Sequence, residues 1–455
     1  MFQMNRIILL AALLVLTTVL GRSFAADNPK PNVIVIIPDD QGFNDIGYHN
    51  SNIITPNLDD LAETGVKLET HYVCTTCSPT RAAIISGRPP SRYGILGPIG
   101  GVSTLALPPD TVTLADMLHS AGYLTAISGK WHLGLRPEVG PRQYGFESTY
   151  GYLHGQIDPY THRYKFGDET WHRNDKFIKE EGHATDLITK EAVRVIKTSG
   201  DQPFFLYVTY SVPHYPLEEP DKWLDMYDGI IEDESRKLFA ASLTHMDAGI
   251  GEIVAALNQS KKRANTLIIY SSDNGGQKSW DSPKNQYNGK FAPNPYLGNN
   301  APLNGWKGDL HEGGIRVPAF ANWPGTLKPR TVTAPVCILD WYPTIAGLIG
   351  IQPDDKLELE GEDIWPLLTR SQKQPPEREI YWKTSGESAL RKGPWKIIER
   401  RRKANSTFRL FHLIDDPLER NNLAKTHPEK LKQLIASLKQ QQSRDNATIY
   451  RTKAK

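Results

Sequence analysis

Cysteine is scarce in this chain: Cys74, Cys77 and Cys337 are the only three among 455 residues, too few for a disulfide framework to carry stability. Long apolar runs are scarce as well. The one stretch of that kind, Ile7 to Leu20, is short for a membrane span, and no later stretch is long and apolar enough to cross a bilayer. An excess of one charge is also lacking. The 53 Lys and Arg against 51 Asp and Glu leave a net charge of +2, which argues against a polyanion or nucleic-acid binder working through overall charge. Any anion this protein handles has to be gripped locally.

The chain opens on Met1-Phe2-Gln3-Met4-Asn5-Arg6, continues through the apolar run, and reaches small residues at Ser23 and Ala25. A basic start, a short hydrophobic centre and a small-residue site predict a signal peptide over residues 1–25, cut after Ala25. No cysteine lies near the cut, so a lipid anchor is not expected, and the protein is expected to be secreted or periplasmic. With 39% apolar and 23% charged residues the remainder is ordinary globular sequence. Its length suggests two or three domains, or one large domain with an appendage.

Four short hydrophobic runs each end in a polar cluster. Asn32 to Ile37 is β-branched without alternation, as in a central parallel strand covered on both faces, and it stops at Pro38-Asp39-Asp40. Tyr123 to Ile127 delivers Gly129-Lys130-Trp131-His132-Leu133-Gly134; Lys130 and His132 are two apart, so an extended segment would present both on one side. Phe204 to Tyr210 leads to His214, and Thr266 to Tyr270 leads to Ser271-Ser272-Asp273-Asn274-Gly275-Gly276. In doubly wound α/β sheets ligands sit beyond the carboxyl ends of the strands, and one rule covers all four clusters. Adjacent carboxylates are commonly a solvated turn. With a second acidic site at another strand end, metal binding becomes the better reading. Oxygen donors from Asp39, Asp40, Asp273 and Asn274 suit Ca²⁺ or Mg²⁺ better than zinc, and three carboxylates with tolerance for irregular geometry favour one Ca²⁺.

The segment Cys77-Ser78-Pro79-Thr80-Arg81-Ala82-Ala83-Ile84-Ile85-Ser86-Gly87-Arg88 places a thiol just before a predicted helix, with Ser78 as N-cap, Pro79 in the first turn and Gly87 as the stop. Unpaired N–H groups and a partial positive charge at a helix start stabilise an anion at position 77. The competing readings are a buried thiol, or a C-x-x-C pair with Cys74. This dodecamer resembles the signature C-x-P-S/T-R of type I sulfatases, in which the cysteine is oxidised to Cα-formylglycine. Gly129-Lys130-Trp131-His132 resembles the family's second motif. Gly305 to Pro318 resembles its G-x-K-G-x-x-x-E-G-G-x-R-x-P segment. Pro141-Arg142 through Gly151-Tyr152-Leu153 looks nearest to the arylsulfatase B, or N-acetylgalactosamine-4-sulfatase, type, from which the insertion Gln277 to Asn304 departs.

The resemblance implies an alkaline-phosphatase-like α/β sandwich with a large mixed, mostly parallel central sheet flanked by helices. It also implies a sulfuric ester hydrolase whose formylglycine 77, hydrated to a gem-diol, is a metal ligand and attacks sulfur. A sulfated hemiacetal can then expel sulfate by C–O cleavage and regenerate the aldehyde. Carried over by position, Arg81, Lys130 and His132 hold the gem-diol, with His132 as general base. His214 and Lys307 contact the sulfate, and one of them protonates the leaving alcohol. The partners implied are a sulfated carbohydrate and a formylglycine-generating or anaerobic sulfatase-maturating enzyme.

The aromatic- and histidine-rich stretch 141–180 is expected to be packing for the most part, with His154, Gln156, Asp158 and His162 as the loosest candidates for substrate contact. Ser235 to Leu257 has apolar positions at helical spacing and is scaffold. His311-Glu312 lacks a second histidine at helical spacing, which removes a zinc-protease motif. From about Glu377 the texture changes to short alternating runs and a final helix from Pro428, so the chain is divided into a catalytic domain over 26–376 and a small antiparallel C-terminal subdomain with one helix over 377–455. Arg400-Arg401-Arg402-Lys403 falls at a hairpin tip there and is read as a solvated turn rather than an anion site. Two other functions compete with sulfate-ester hydrolysis: a phosphodiesterase or phosphonate hydrolase of the same superfamily, and a non-catalytic binder of sulfated glycans.

Overall fold

The computed structural model describes residues 30–370, 377–402, 405–446 and 449–453. The leader expected over residues 1–25 and Lys403 lie outside them. Residues from Pro31 onward form one compact unit.

The strand Asn32–Ile37 is fully buried and runs through the middle of a ten-stranded sheet. Each of its five aliphatic side chains contributes roughly 1.5–3 kcal/mol on burial, which is why a run without polar alternation settles at the centre. The strands lie in the order Arg330–Val332, Val66–Leu68, Ala319–Asn322, Thr266–Ser271, Asn32–Ile37, Phe204–Thr209, Leu124–Lys130, Ser148–Tyr152, Trp171–Arg173, Lys176–Phe177. Thr266–Ser271, Asn32–Ile37, Phe204–Thr209, Leu124–Lys130 and Ser148–Tyr152 are mutually parallel, while Ala319–Asn322 and the far edge run antiparallel. Val33, Val35 and Ile37 pack under a layer that includes the helices Cys77–Ser86, Leu114–Ser120 and Trp341–Leu348. Ile34 and Ile36 pack under Pro56–Glu63, Ala184–Thr198 and the long helix Glu234–Gln259. The result is the expected mixed, mostly parallel sheet between two helical layers.

By pattern alone Val66 to Tyr72 reads as one strand and Val336 to Leu348 as one helix, and the structure corrects both. Val66 to Tyr72 is two strands instead of one, because Glu69 turns to donate to Val332 O while His71–Tyr72 joins a separate three-stranded sheet with Arg316–Val317 and Val336–Cys337. For the same reason Val336 to Leu348 is not one helix: its first two residues pair as a strand, and the helix is Trp341–Leu348.

The C-terminal sheet is an antiparallel meander, Glu379–Lys383, Glu387–Lys392, Trp395–Arg402 and Asn405–His412. One face buries Leu390, Ile397 and Leu410 against Leu434 and Leu438 of the helix Pro428–Ser443. The other face puts Trp382, Ile398 and Phe411 on Tyr72, Leu310 and Ile315. A buried ion pair crosses the same seam, with Lys396 Nζ 3.0 Å from Glu312 and 2.9 Å from Glu419.

Candidate active site

The four strands whose ends were singled out are neighbours in the sheet, so their polar clusters converge at one edge. Asp39 and Asp40 follow Asn32–Ile37, Lys130 closes Leu124–Lys130, His214 follows Phe204–Thr209, and Asp273 and Asn274 follow Thr266–Ser271. Asp40 sits at φ 74° and His132 at φ 59°. Such left-handed backbone costs non-glycine residues of order 1–3 kcal/mol and clusters at functional sites. It also corrects the reason given for pairing Lys130 with His132: the chain bends sharply after the strand and is not extended there.

Three buried carboxylates are answered by three cations, of which Arg81 and Lys130 are buried and Lys307 is partly exposed. Lys130 Nζ lies 2.5 Å from Asp39 Oδ2. Lys307 Nζ lies 2.7 and 2.8 Å from the two oxygens of Asp40. Arg81 donates from Nη2 and Nε to Asp273 Oδ2 at 2.8 and 3.2 Å, and from Nη1 to Lys130 O at 3.0 Å. Burial pushes the Asp40 carboxyl up, but the Lys307 ammonium beside it outweighs this and holds the group below its usual range. Burial, then the charge of Asp39, raises Asp273 to about 6. Lys307 is raised by Asp40 against the cost of its burial, so it stays an ammonium. With a side chain 11% exposed, Lys307 and the nearby His214 are the members of the site that reach its mouth.

Cys77 opens the helix Cys77–Ser86, with Thr76 as the residue before it and Gly87 at φ 65° closing it. The start therefore falls earlier than expected, and Ser78 does not cap the helix. Its hydroxyl donates to His132 O at 2.8 Å and accepts from Ile99 N at 3.0 Å, tying the helix start to the histidine turn. Cys74 and Cys77 are both free thiols, so the C-x-x-C pairing is not formed. Burial pushes the Cys77 thiol up against the pull of Lys130 and Lys307. A thiol so placed is a poor thiolate nucleophile.

His132 packs on Gly155, where an added Cβ would lie 2.6 Å from the ring. Its Nε2 donates to Ile99 O at 2.7 Å, and its buried Nδ1 has no hydrogen-bond partner. Burial and then Lys130 hold its pKa well below the ordinary value, so the ring is neutral with a free lone pair on Nδ1, as a base requires. His214 is likewise kept neutral by burial and by Lys307; its Nδ1 is 2.5 Å from Tyr215 O and its Nε2 is 3.7 Å from Asp40.

The donor set fits a hard divalent cation. Asp39 Oδ1 and Asn274 Oδ1 are buried acceptors without a partner, each costing about 1–3 kcal/mol as it stands. Ligand atoms of Asp39, Asp40 and His214 come within 4.8 Å of one another, so the structure draws His214 into a group expected to hold only oxygens at its protein end. Asp273 joins through its Oδ1, which accepts from Asp40 N at 3.2 Å. The oxygens decide the class of ion, since a carboxylate-rich set prefers Ca²⁺ or Mg²⁺. A second cluster, His183, Glu219 and His245, is a different object. His183 Nδ1 accepts from Thr185 N and its Nε2 donates to Glu218 O, while His245 faces Glu219 at 2.6 Å and Asp186 at 3.0 Å. Neither ring has a free lone pair, so this is an ion-pair clamp on the loop that carries His214.

His154, Gln156, Asp158 and His162 are each engaged within the fold. His154 contacts Thr170 and stacks on Tyr164, His162 stacks on Trp171, and Gln156 and Asp158 hold Tyr287 and Lys290 of the insertion. Trp280 of the insertion in turn stacks on Tyr215 at 4.6 Å. The sequence reading missed Lys165. Its carbonyl accepts from Tyr287 N, and burial together with Lys307 lowers its pKa, placing a further cation in the field of the site. A lysine among aromatics carried no signal by spacing.

The sulfatase family profile matches residues 31–351. This chain belongs to the sulfatase family. The sulfatase is 32% identical to mouse arylsulfatase J, with 91% of this chain and 76% of that protein covered. It is 29% identical to pig N-acetylgalactosamine-6-sulfatase, covering 81% and 72%. Among solved structures, Ps i-CgsB in complex with k-i-k-neocarrahexaose superposes with a TM-score of 0.81 at 30% identity, covering 92% of this chain and 94% of that one. The sulfatase is a sulfuric ester hydrolase, and the specific arylsulfatase B type is not singled out by these relatives.

Proposed function

We propose that this sulfatase is exported and removes sulfate esters from sulfated polysaccharides or oligosaccharides, using formylglycine made from Cys77 and one bound Ca²⁺. The observation that carries this reading is the charge arrangement: three buried carboxylates matched by the buried Arg81 and Lys130 and by Lys307 at the mouth, with two orphaned oxygens among them. Adding a divalent ion would leave the centre positive, which suits an anionic ester whose own oxygens repel nucleophiles.

Asp39, Asp40, Asp273 and Asn274 would hold the ion, which when bound neutralises sulfate oxygens. Formylglycine, once formed, supplies the attacking hydroxyl that a buried thiol does not. Arg81 and Lys130 fix the carboxylates and orient residue 77. His132, neutral with Nδ1 open, takes the proton from the second hydroxyl. Lys307 and His214 meet the sulfate at the mouth. Lys307 is the firmer charge partner because Asp40 keeps it protonated. A glycan substrate agrees with the aromatic insertion walling the entrance. The division into a catalytic domain over 26–376 and a subdomain over 377–455 belongs to the same reading, as does cleavage after Ala25.

The experiment is sulfate release from defined sulfated glycans by enzyme co-produced with a maturation enzyme, beside mass spectrometry of the peptide containing residue 77. An aldehyde at residue 77 with measurable desulfation is expected, and Cys77→Ala should fold with unchanged circular dichroism and lose at least 10³-fold in rate. Desulfation that survives in Cys77→Ala would sink the nucleophile assignment.

A further inference from the structure

The arginine run read from sequence as a solvated turn lines a groove beside the active-site mouth. Arg400, Arg402 and Arg409 share one face of the C-terminal sheet: Ile398 pairs with Arg409 across the strands, and Arg400 and Arg402 follow Ile398 at even spacing. That face is the one that packs Ile398 on the body of the molecule. The groove, about 470 Å³, is closed by Asp309 and His311, within the roughly 300–1,000 Å³ usual for ligand sites. Asp309 is two residues from Lys307, so at most about 7 Å of backbone separates them. Gly308 N donates to Thr75 O at 2.8 Å, pinning the same loop to the segment that precedes Cys77.

The groove's charge is not balanced from within. Four arginines, Arg400 to Arg402 and Arg409, face two carboxylates, Asp309 and Glu387. Glu387 stands 3.7 Å from both Arg400 and Arg409, and Asp309 is engaged by Trp306 N at 2.8 Å. Arg409 also donates to His311 Nε2 at 2.6 Å. Among the described residues nothing pairs with the guanidinium of Arg402. A solvated turn has no need to gather like charges on one face at mutual cost, whereas planar guanidinium forks recognise oxyanions bidentately.

We propose that this groove is a distal subsite that holds a sulfate group on a neighbouring sugar of the chain being desulfated, so that the enzyme prefers multiply sulfated oligosaccharides to isolated sulfate esters. The proposal rests on the glycan-sulfatase reading above and adds the class of substrate: a polyanionic chain spanning at least two sulfated units. Lys307 takes the sulfate that leaves, and the arginines take one that stays.

The test compares binding by the non-turnover Cys77→Ala form with binding by the same form carrying Arg400→Ser and Arg402→Ser. Calorimetry is run with carrageenan, chondroitin sulfate and fucoidan hexasaccharides, and the tightest binder is used. At least a tenfold weaker Kd in the triple variant is expected, with a shallower dependence of log Kd on log salt. Arg400→Lys with Arg402→Lys should restore part of the affinity. In matured enzyme, Arg400→Ser with Arg402→Ser should leave turnover of 4-nitrophenyl sulfate unchanged while raising KM for the hexasaccharide. Equal Kd in the two forms, no measurable binding of any of the three, or equal loss on both substrates would overturn the proposal. Because binding is read on a form that cannot turn over, its failure is distinguishable from failure of the sulfatase reading, which is read by sulfate release.

Discussion

Lys307 shows how one side chain does two jobs. It closes a bidentate pair with Asp40 in the structure and is the most exposed of the three site cations. Lys307→Met should lower kcat for sulfate esters by about 10²–10³, as loss of one preorganised charge partner does, and should leave Cys77→aldehyde conversion intact by mass spectrometry. An unchanged kcat would remove Lys307 from the reacting centre. The motif residues were legible one by one in the sequence, since Asp39, Asp40, Cys77, Arg81, Lys130, Asp273 and Lys307 all converge. What spacing did not reveal is who pairs with whom. Arg81 meets Asp273 and Lys130 meets Asp39 across 192 and 91 residues, and such pairings are products of the sheet order, not of local pattern.

At the scale of elements, the clamp around His245 joins the helix Glu234–Gln259 to the loop that carries His214. Burial disfavours the charged ring, but Asp186 and Glu219 overcome this and raise its pKa to about 9; His183 and Trp223 face the same ring at 4.7 and 5.0 Å. A histidine whose folded pKa exceeds its unfolded value of about 6.5 stabilises the fold fully below pH 6.5, and that share is lost as pH rises through 9. The share is on the order of 2–3 kcal/mol, discounted because Asp186 is partly solvated. Denaturant melts from pH 6 to 9.5 should show this decline, and His245→Gln should flatten it. A parallel decline in the variant would assign the effect elsewhere. This element was only half legible: the long helix announced itself by apolar spacing, while His183, Glu219 and His245 carry no shared motif. The splits at Glu69 and ahead of Trp341 were hidden for a similar reason, because each follows from a strand partner far along the chain.

For the molecule as a whole, the C-terminal sheet is bound to the rest by a desolvated charge centre. Lys396 is fully buried between Glu312 and Glu419, and Glu312 belongs to the Gly305–Pro318 segment that also supplies Lys307. Lys396→Met would take the shared ammonium from Glu312 and Glu419, leaving them Tyr72, Arg316 and His311, and should cost about 3–5 kcal/mol, seen as one cooperative transition at lower denaturant; two separate transitions would show that sheet and body unfold independently. The proposed metal ion would add a second global term. Calcium at about 100 times its Kd should stabilise the protein by roughly 2.7 kcal/mol, and Asp39→Asn should abolish the calcium-dependent rise in Tm. The alternating strands from Glu379 onward made this sheet legible in advance. Its seam with the body was not, since Lys396 sits in a strand where nothing marks it as buried.

One consequence concerns timing. The Cys77 side chain is 2% exposed and sits in the first turn of a helix sealed by Ser78, His132 and Ile99. A separate catalyst has to reach the sulfur itself. On the proposed formylglycine reading, oxidation of Cys77 therefore has to come before the chain closes over it, and a molecule that folds first would stay a thiol.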